Sequence, residues 1–254
     1  MDWGLWLMLV VLSTMALIPS ISSESTIKLA SERYISGNRK ARVDDTLYCD
    51  SWRLAVETNN AGKWEEIPER CKELVEEYMS GERYVSDSEV VANFSLEFAK
   101  EVELGGKGRD AWVFDVDETL LSNFVYYTIY GFGSKKSNEI SFEAPALAAS
   151  LRLYKELQKL GFTIFLLTGR PENLRQETEA NLLSAGYTNW NRLILRGPMD
   201  EDKTAETYKS EKRAELVKEG YILHGNSGDQ WSDLLGQRNR MRRHHMRNIM
   251  GELR

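Results

Sequence analysis

Short apolar runs alternate with segments of helical periodicity through the second half of the chain. Each run has the length of a buried strand, and the segments between them repeat apolar residues at the spacing of a helix face and end at glycines. Strands that alternate with helices in this way predict an α/β fold built on a doubly wound parallel sheet. The apolar runs are Ala111–Phe114, Thr163–Leu167, Leu193–Leu195 and Tyr221–His224.

The segment before the first apolar run is helical in character. Apolar residues recur there at helical spacing, and a helix is predicted over residues 86–98, with Ser86 as its N-cap and Glu89 at the capping-box position. We therefore expect residues 23–104 to form an extended lead-in and a small helical cap beside the sheet. Residues 105–236 are expected to form the core domain that contains the sheet.

The first apolar run ends in Asp115 and Asp117, which are followed by Thr119. Ligands usually bind at the carboxyl ends of parallel strands, so both carboxylates are expected to face a pocket there. Two acids in such a place favour a hard cation such as Mg2+, and one can attack phosphorus while the other transfers a proton. An EF-hand calcium loop is excluded, because Leu120 and Tyr126 stand where it requires Gly and Glu. A solvated acidic turn is the alternative for this motif taken alone.

The second apolar run continues into Thr168-Gly169-Arg170-Pro171. Pro171 suits the first turn of a helix, which would leave the Thr168 hydroxyl and nearby backbone N–H groups at the strand-end pocket. Those groups suit a phosphate, although the segment taken alone is more typical of a structural turn.

Further polar residues follow in the last third of the chain. Lys209 precedes Ser210, a predicted helix N-cap, so its ammonium is expected to reach a phosphate or a carboxylate in the pocket. Asp229 and Asp233 form a second acidic pair beyond the last apolar run. The competitors of Lys209 for its position are Lys203 and Lys212.

The composition fits one sizeable core with an accessory segment, at 254 residues and 42% hydrophobic. The net charge of −6 is unevenly spread, because residues 237–254 contain six arginines and one glutamate and form an atypical basic tail on an acidic body. A nucleic-acid or membrane-surface arm would have such a tail, and so would the product of a shifted reading frame or altered splicing, which we favour.

Residues 1–22 are typical of a secretory signal peptide, with an uncleaved membrane anchor as the alternative. In the oxidising compartment that a signal peptide implies, Cys49 and Cys71 predict one disulfide; two free buried thiols are the alternative. Asn93-Phe94-Ser95 is an acceptor sequence that predicts N-glycosylation at Asn93.

The polar motifs, in their order along the chain, resemble the four motifs of the haloacid dehalogenase-like phosphatase superfamily. Residues 48–60 and 224–236 are similar to the plant acid phosphatase and vegetative storage protein family. This resemblance covers roughly residues 36–236 and implies a haloacid dehalogenase-like sheet with a small N-terminal helical cap. Beyond it the family usually continues into an apolar segment, where this chain has its basic tail. The matching motifs are Asp115–Thr119, Thr168, Lys209, and Gly228-Asp229 with Asp233.

The resemblance implies a mechanism. Asp115 would be the nucleophile that forms an aspartyl-phosphate, and Asp117 would protonate the leaving alcohol and then activate water. Thr168 and Lys209 would bind the phosphoryl oxygens.

The resemblance also implies a Mg2+ site. The cation would be held by the Asp115 carboxylate, the Asp117 backbone carbonyl and Asp229. Asp233 would support these ligands.

These expectations combine into a Mg2+-dependent acid phosphatase of the secretory pathway, located in the vacuole or the cell wall, with a small phosphomonoester as its substrate. The alternatives are a storage or defence protein with weak or no turnover and a protein that binds through its basic tail. We expect no nucleic-acid partner, and no membrane association once the signal peptide is removed. The oligomeric state stays open, with a homodimer as one alternative.

Overall fold

The computed structural model describes residues 44–58, 60, 67–130, 143–236 and, for the backbone alone, 242–245. The chain divides into a unit of residues 1–44 and a unit of residues 45–254. The predicted signal peptide and nearly all of the predicted lead-in lie outside the described residues. Among the helices that are described, none combines the length and the hydropathy that a bilayer crossing requires.

A parallel sheet forms the centre of the second unit. Its strands lie side by side in the order β3-β2-β1-β4-β5, and every residue of the central strand β1 is buried. The predicted doubly wound parallel α/β sheet is therefore confirmed. The strands are β1 Asp110–Phe114, β2 Thr163–Pro171, β3 Arg192–Arg196, β4 Ile222–Gly228 and β5 Arg242–His245.

Helices cover both faces of this sheet. They are α1 Asp45–Glu57, α2 Lys72–Ser80, α3 Glu82–Glu101, α4 Phe124–Tyr130, α5 Ala148–Leu160, α6 Arg175–Ser184, α7 Ala205–Lys218 and α8 Trp231–Leu234. Trp112 and Phe114 of β1 pack on the face covered by α3, α5 and α6. Val113 packs on the opposite face, against Tyr208 and Leu216 of α7. This alternation follows from the two-residue period of a strand.

Two helices begin earlier than the sequence predicts, and two strands end later: β2 ends at Pro171 rather than Leu167, and β4 ends at Gly228 rather than His224. Helix α3 begins after the extended Gly81 rather than at Ser86. Helix α7 begins after Thr204, whose hydroxyl accepts a hydrogen bond from the Thr207 backbone N–H at 3.2 Å, so Ser210 is an interior residue and not the N-cap. Strand β2 continues through Pro171, which the sequence had placed in the first turn of a helix.

The N-terminal helices belong to two different cores. Helices α1 and α2 form a small core together with Tyr84 of α3 and two tyrosines of α4. In this core Cys49 and Cys71, 22 residues apart in sequence, are joined by a disulfide with Cα atoms 5.4 Å apart. Closing a loop of this length stabilises a fold by about 3 kcal/mol. Helix α3 also contributes Ala92 and Ala99 to the main core against the sheet.

Part of the predicted basic tail belongs to the sheet. Residues 242–245 form β5, which pairs in parallel with β4 from Gly225–Arg242 to Gly228–His245. The rest of residues 237–254 lies outside the described part of the chain.

Candidate active site

The side chains that the sequence predicts to be functional meet at the carboxyl end of the sheet. Asp115 follows β1, Thr168 lies in β2 and Asp229 follows β4. The backbone N–H of Asp115 donates to the Ser227 carbonyl oxygen at 2.9 Å, which extends the β1–β4 pairing to the first carboxylate. All three predicted residues are buried, so the charges of the two aspartates interact more strongly than they would in water.

A tight turn follows Asp115. The backbone N–H groups of Leu120 and Leu121 both donate to the Val116 carbonyl oxygen at 2.9 Å. Glu118 within this turn is left-handed, with φ of 56°, a conformation that costs a non-glycine residue roughly 1–3 kcal/mol. Its buried carboxylate fixes the turn by accepting hydrogen bonds from the Asn123 backbone N–H at 2.5 Å and from Asn123 Nδ2 at 2.9 Å.

Lys209 reaches Asp115 from the second turn of α7. Its Nζ lies 2.8 Å from Asp115 Oδ1 and also donates to Asp233 Oδ1. Burial raises the pKa of Asp115 to about 6, against the opposing effect of the lysine. Burial disfavours the charge on Lys209, but the two carboxylates outweigh it and raise the pKa of the ammonium. The lysine therefore provides a fixed positive charge beside the carboxylate.

The other two candidate lysines have different partners. Lys203 pairs with Asp200 at 2.7 Å and with Glu211 at 2.6 Å, and Lys212 lies 3.5 Å from Asp200. The structure therefore places Lys209 beside Asp115, and places Lys203 and Lys212 around Asp200.

Asp115, Asp229 and Asp233 form an acid cluster in which one oxygen of each lies within 4.8 Å of the others. Thr119 Oγ1 lies 3.4 Å from Asp115 Oδ2 and 3.5 Å from Asp229 Oδ1. Carboxylate oxygens are the ligands that hard divalent cations prefer, and the three carboxylates outnumber the adjoining ammonium. The residues present therefore fit a divalent cation.

Asp233 is fixed by several neighbours. Its Oδ2 accepts a hydrogen bond from the Gln230 backbone N–H at 3.0 Å, and its carbonyl oxygen accepts one from Arg213 NH1 at 2.8 Å. A Cβ at Gly228 would collide with the Asp233 side chain. The close approach of the β4 backbone therefore requires glycine at position 228.

Asp117 faces a different set of partners from the acid cluster. Arg170 NH2 and Nε donate to its two carboxylate oxygens at 2.7 and 2.9 Å. Asn123 Nδ2 donates to Oδ1 at 2.7 Å. We call Arg170 and Asn123 together the Asp117 clamp. Neither residue was a sequence candidate: Arg170 stands in a segment that the sequence predicts as a turn, and nothing in that segment indicated the direction of its side chain.

Thr168 is held by its own strand and by α7. Its Oγ1 accepts a hydrogen bond from the Arg170 backbone N–H at 3.1 Å, which leaves the hydroxyl proton to donate. Its carbonyl oxygen accepts a hydrogen bond from Tyr208 OH at 3.1 Å. Because Tyr208 precedes Lys209, one turn of α7 positions both predicted phosphate-binding residues.

Helix α3 contributes a buried phenol close to the site. Burial raises the pKa of Tyr84, and the carboxylates of Glu118 and Asp229 raise it further. The phenol is therefore neutral at any physiological pH and is not a base.

The sequence of this chain matches a known family over most of its length. Residues 36–250 match the model of the HAD superfamily, subfamily IIIB (acid phosphatase). The chain belongs to this family. The match includes most of residues 237–254, which were predicted to be an atypical basic tail.

Several plant proteins resemble this member of the acid phosphatase family. Acid phosphatase 1 of Solanum lycopersicum is 51% identical over 77% of this chain and 79% of that protein. Stem 28 kDa glycoprotein of Glycine max is 44% identical over 74% of this chain and 76% of that protein. Vegetative storage protein 2 of Arabidopsis thaliana is 34% identical over 90% of this chain and 92% of that protein.

The fold of this family member also resembles a solved structure. The Class C acid phosphatase from Bacillus anthracis aligns with a TM-score of 0.52 and 20% identity, over 74% of this chain and 72% of that chain. This similarity supports the sheet architecture described above.

The predicted glycosylation site of this family member lies in the middle of α3. Asn93 is exposed, and its Oδ1 accepts a hydrogen bond from Arg152 NH2 at 2.8 Å. Ser95 of the same sequon is buried, and its hydroxyl donates to the Val91 carbonyl oxygen at 2.8 Å. Glycosylation of Asn93 stays a prediction.

Proposed function

We propose that this chain is a Mg2+-dependent acid phosphatase that hydrolyses small phosphomonoesters through an aspartyl-phosphate on Asp115. The observation that carries the proposal is the placement of a buried carboxylate 2.8 Å from a buried ammonium and within an acid cluster at the carboxyl end of the sheet. Membership of the acid phosphatase family supports it.

In the first step an Asp115 oxygen attacks phosphorus and the bond to the leaving oxygen breaks. Asp117 gives a proton to that oxygen, so the product leaves as a neutral alcohol. In the second step Asp117 takes a proton from water, the water oxygen attacks phosphorus, and the bond to Asp115 breaks. Phosphate is released and the Asp115 carboxylate is restored.

The remaining residues bind the phosphoryl group. The Thr168 hydroxyl and the Lys209 ammonium would bind its oxygens and stabilise the charge that moves onto them. The Asp115 and Asp229 carboxylates and the Asp117 backbone carbonyl would hold Mg2+, with Asp233 in support. The cation would supply further neutralisation of the phosphoryl charge.

The test is hydrolysis of 4-nitrophenyl phosphate across acid pH, with added Mg2+ or a chelator. The native chain is expected to turn over in a metal-dependent way, and Asp115→Asn is expected to be inactive while it remains folded. Lys212→Met is a matched control, because Lys212 lies beside Asp200 rather than beside Asp115. Turnover by Asp115→Asn, or metal-independent turnover by the native chain, would contradict the proposal.

A storage role is the second candidate, because relatives of this chain are named vegetative storage proteins. A folded native chain without turnover under any of these conditions would favour it. Binding of Mg2+ would not separate the two functions, since an acid cluster can hold a cation without catalysis.

We also propose that the chain enters the secretory pathway and reaches the vacuole or the cell wall. The Cys49–Cys71 disulfide supports this, because disulfides persist in oxidising compartments. The test is the mobility of the protein from plant tissue before and after enzymatic deglycosylation, with Asn93→Gln as the variant. A mobility that neither treatment changes would contradict glycosylation at Asn93.

A further inference from the structure

The Asp117 clamp leaves the carboxylate little freedom to rotate. A carboxylate that accepts one hydrogen bond can still turn about its χ angles, whereas Asp117 accepts three from the clamp alone, at 2.7, 2.7 and 2.9 Å. Only 12% of the Asp117 side chain and 13% of the Arg170 side chain are exposed, so water competes weakly for these bonds. The position of both oxygens is therefore set by the clamp.

The clamp is itself anchored. Arg170 NH1, which does not contact Asp117, donates to the buried Thr178 Oγ1 of α6 at 3.2 Å. Asn123 is fixed from the other side by the Glu118 carboxylate. The guanidinium thus connects α6 to the turn after β1. Because the group is planar and hydrogen-bonded at both ends, its orientation is fixed.

The charge of Arg170 does not explain its presence beside a general acid. A guanidinium favours the ionised form of a neighbouring carboxylate. Donation of a proton to a leaving alcohol requires the neutral form, so the charge alone works against that step. Orientation of Asp117, which the hydrogen bonds of the guanidinium fix, is the contribution that the contacts of Arg170 support.

We propose that Arg170 is a positioning residue that aims the Asp117 carboxyl at the leaving oxygen and at the attacking water. The proposal rests on the function proposed above, in which Asp117 transfers both protons. Arg170 and Thr168 lie two residues apart on β2 and are joined by the 3.1 Å bond from the Arg170 backbone N–H to Thr168 Oγ1. One strand end therefore sets the phosphoryl group and the proton donor in a fixed relation.

The first test compares leaving groups. We expect Arg170→Met to lower kcat/KM for phenyl phosphate by about a hundredfold, because misplacing a catalytic group by about 1 Å has an effect of that size. For 4-nitrophenyl phosphate the loss should be below about threefold, because a weakly basic leaving group needs little protonation. The slope of kcat/KM against leaving-group basicity therefore becomes steeper.

A chemically matched control lies at the other end of the sheet. Arg192 pairs with the Glu219 carboxylate through NH1 at 3.0 Å and NH2 at 2.7 Å, in an exposed bidentate pair. Arg192→Met removes the same kind of ion pair and should leave the leaving-group slope unchanged. A change in slope in Arg192→Met equal to that in Arg170→Met would overturn the proposal.

Two milder variants separate orientation from charge and from folding. Arg170→Lys keeps the positive charge but not the planar group that donates two hydrogen bonds to Asp117. It should therefore hydrolyse phenyl phosphate no better than Arg170→Met does. Thr178→Val removes the anchor without touching Asp117 and should give a smaller effect of the same kind. Full restoration by lysine would overturn the proposal, since charge would then suffice.

The closing measurement traps the phosphoenzyme. Acid quenching during turnover of 32P-labelled 4-nitrophenyl phosphate should find more labelled protein in Arg170→Met than in the native chain, because the water is then poorly activated. Equal losses with both substrates, or a rise in KM alone, would instead make Arg170 a phosphate ligand and overturn the proposal. A native chain that hydrolyses neither substrate would overturn the proposed function, and this inference with it.

Discussion

Asp115 and Asp117 stand two residues apart in one loop but lie in two different regions of the site. Asp115 belongs to the acid cluster, with a lysine as its cation and two further carboxylates nearby. Asp117 lies in the clamp, where its carboxylate oxygens accept hydrogen bonds from the Arg170 guanidinium and the Asn123 amide. A lysine is a point charge that leaves the carboxylate oxygens accessible. A planar guanidinium that donates two hydrogen bonds to a carboxylate also fixes the direction of its oxygens. Under the proposed mechanism, the partners of each carboxylate, rather than its residue type, would prepare Asp115 to attack and Asp117 to transfer protons.

The largest expected effect is the difference in activity between a variant of the acid cluster and a variant of Asp117 in the clamp. Asp115→Asn removes the nucleophile and should lower kcat by a factor on the order of 10⁴ or more. Asp117→Asn should still form the phosphoenzyme from 4-nitrophenyl phosphate, because that leaving group needs little protonation. The measurement is a single-turnover assay of phosphoenzyme formation by both variants. Equal loss of phosphoenzyme formation in the two variants would contradict the separate roles of Asp115 and Asp117.

Lys209→Met tests the stability of the acid cluster. The change leaves Asp115 and Asp233 buried without their cation and should lower the free energy of unfolding by about 3–5 kcal/mol in the presence of a chelator. Urea unfolding measures it. Lys212→Met is the control, and a loss of the same size there would show that the effect is not specific to the cluster.

The pH dependence of stability tests the burial of Asp115. Its pKa is raised from 3.8 to about 6 in the folded chain, so the protonated carboxyl stabilises the fold below about pH 4. This contribution, about 3 kcal/mol, is lost as the pH rises through 6. In a chelator, the native chain should therefore lose stability over this range relative to Asp115→Asn. Parallel pH profiles of the two proteins would contradict the assignment.

Asn123→Ala tests the clamp from the side opposite to Arg170. It removes amide donors from Asp117 and from the buried Glu118 and should cost about 1–3 kcal/mol. Chemical denaturation measures the loss, and the leaving-group slope should steepen at the same time. A loss of stability with an unchanged leaving-group slope would show that Asn123 stabilises only the turn after Asp115 and does not orient Asp117.

The sequence predicted where the strands lie because apolar runs bounded by polar residues are visible without a structure. Asp115 follows β1 as predicted, but β2 and β4 each end four residues beyond their apolar runs. Thr168 therefore lies inside β2, whereas Asp229 still follows β4. The start of α7 was missed because Ser210 is by residue type a better N-cap than Thr204, and only the hydrogen bond from the Thr207 backbone N–H identifies Thr204 as the cap.

Arg170 was missed for a related reason. The proline that follows it favours a helix start, and a residue in such a turn has no predictable direction. The structure continues β2 through Pro171, and from this strand end the Arg170 guanidinium reaches Asp117. Local propensity did not show this, because the pairing of Pro171 with Arg196 of β3 is a long-range contact.

The aspartyl-phosphate is the central claim, and its most direct test is to locate the phosphoryl group. The native chain would be mixed with 32P-labelled substrate, quenched in acid, digested and sequenced by mass spectrometry. The account predicts label on Asp115, formed at a rate that supports turnover and absent from Asp115→Asn. Steady turnover with no label on Asp115, or with label on another residue, would contradict it.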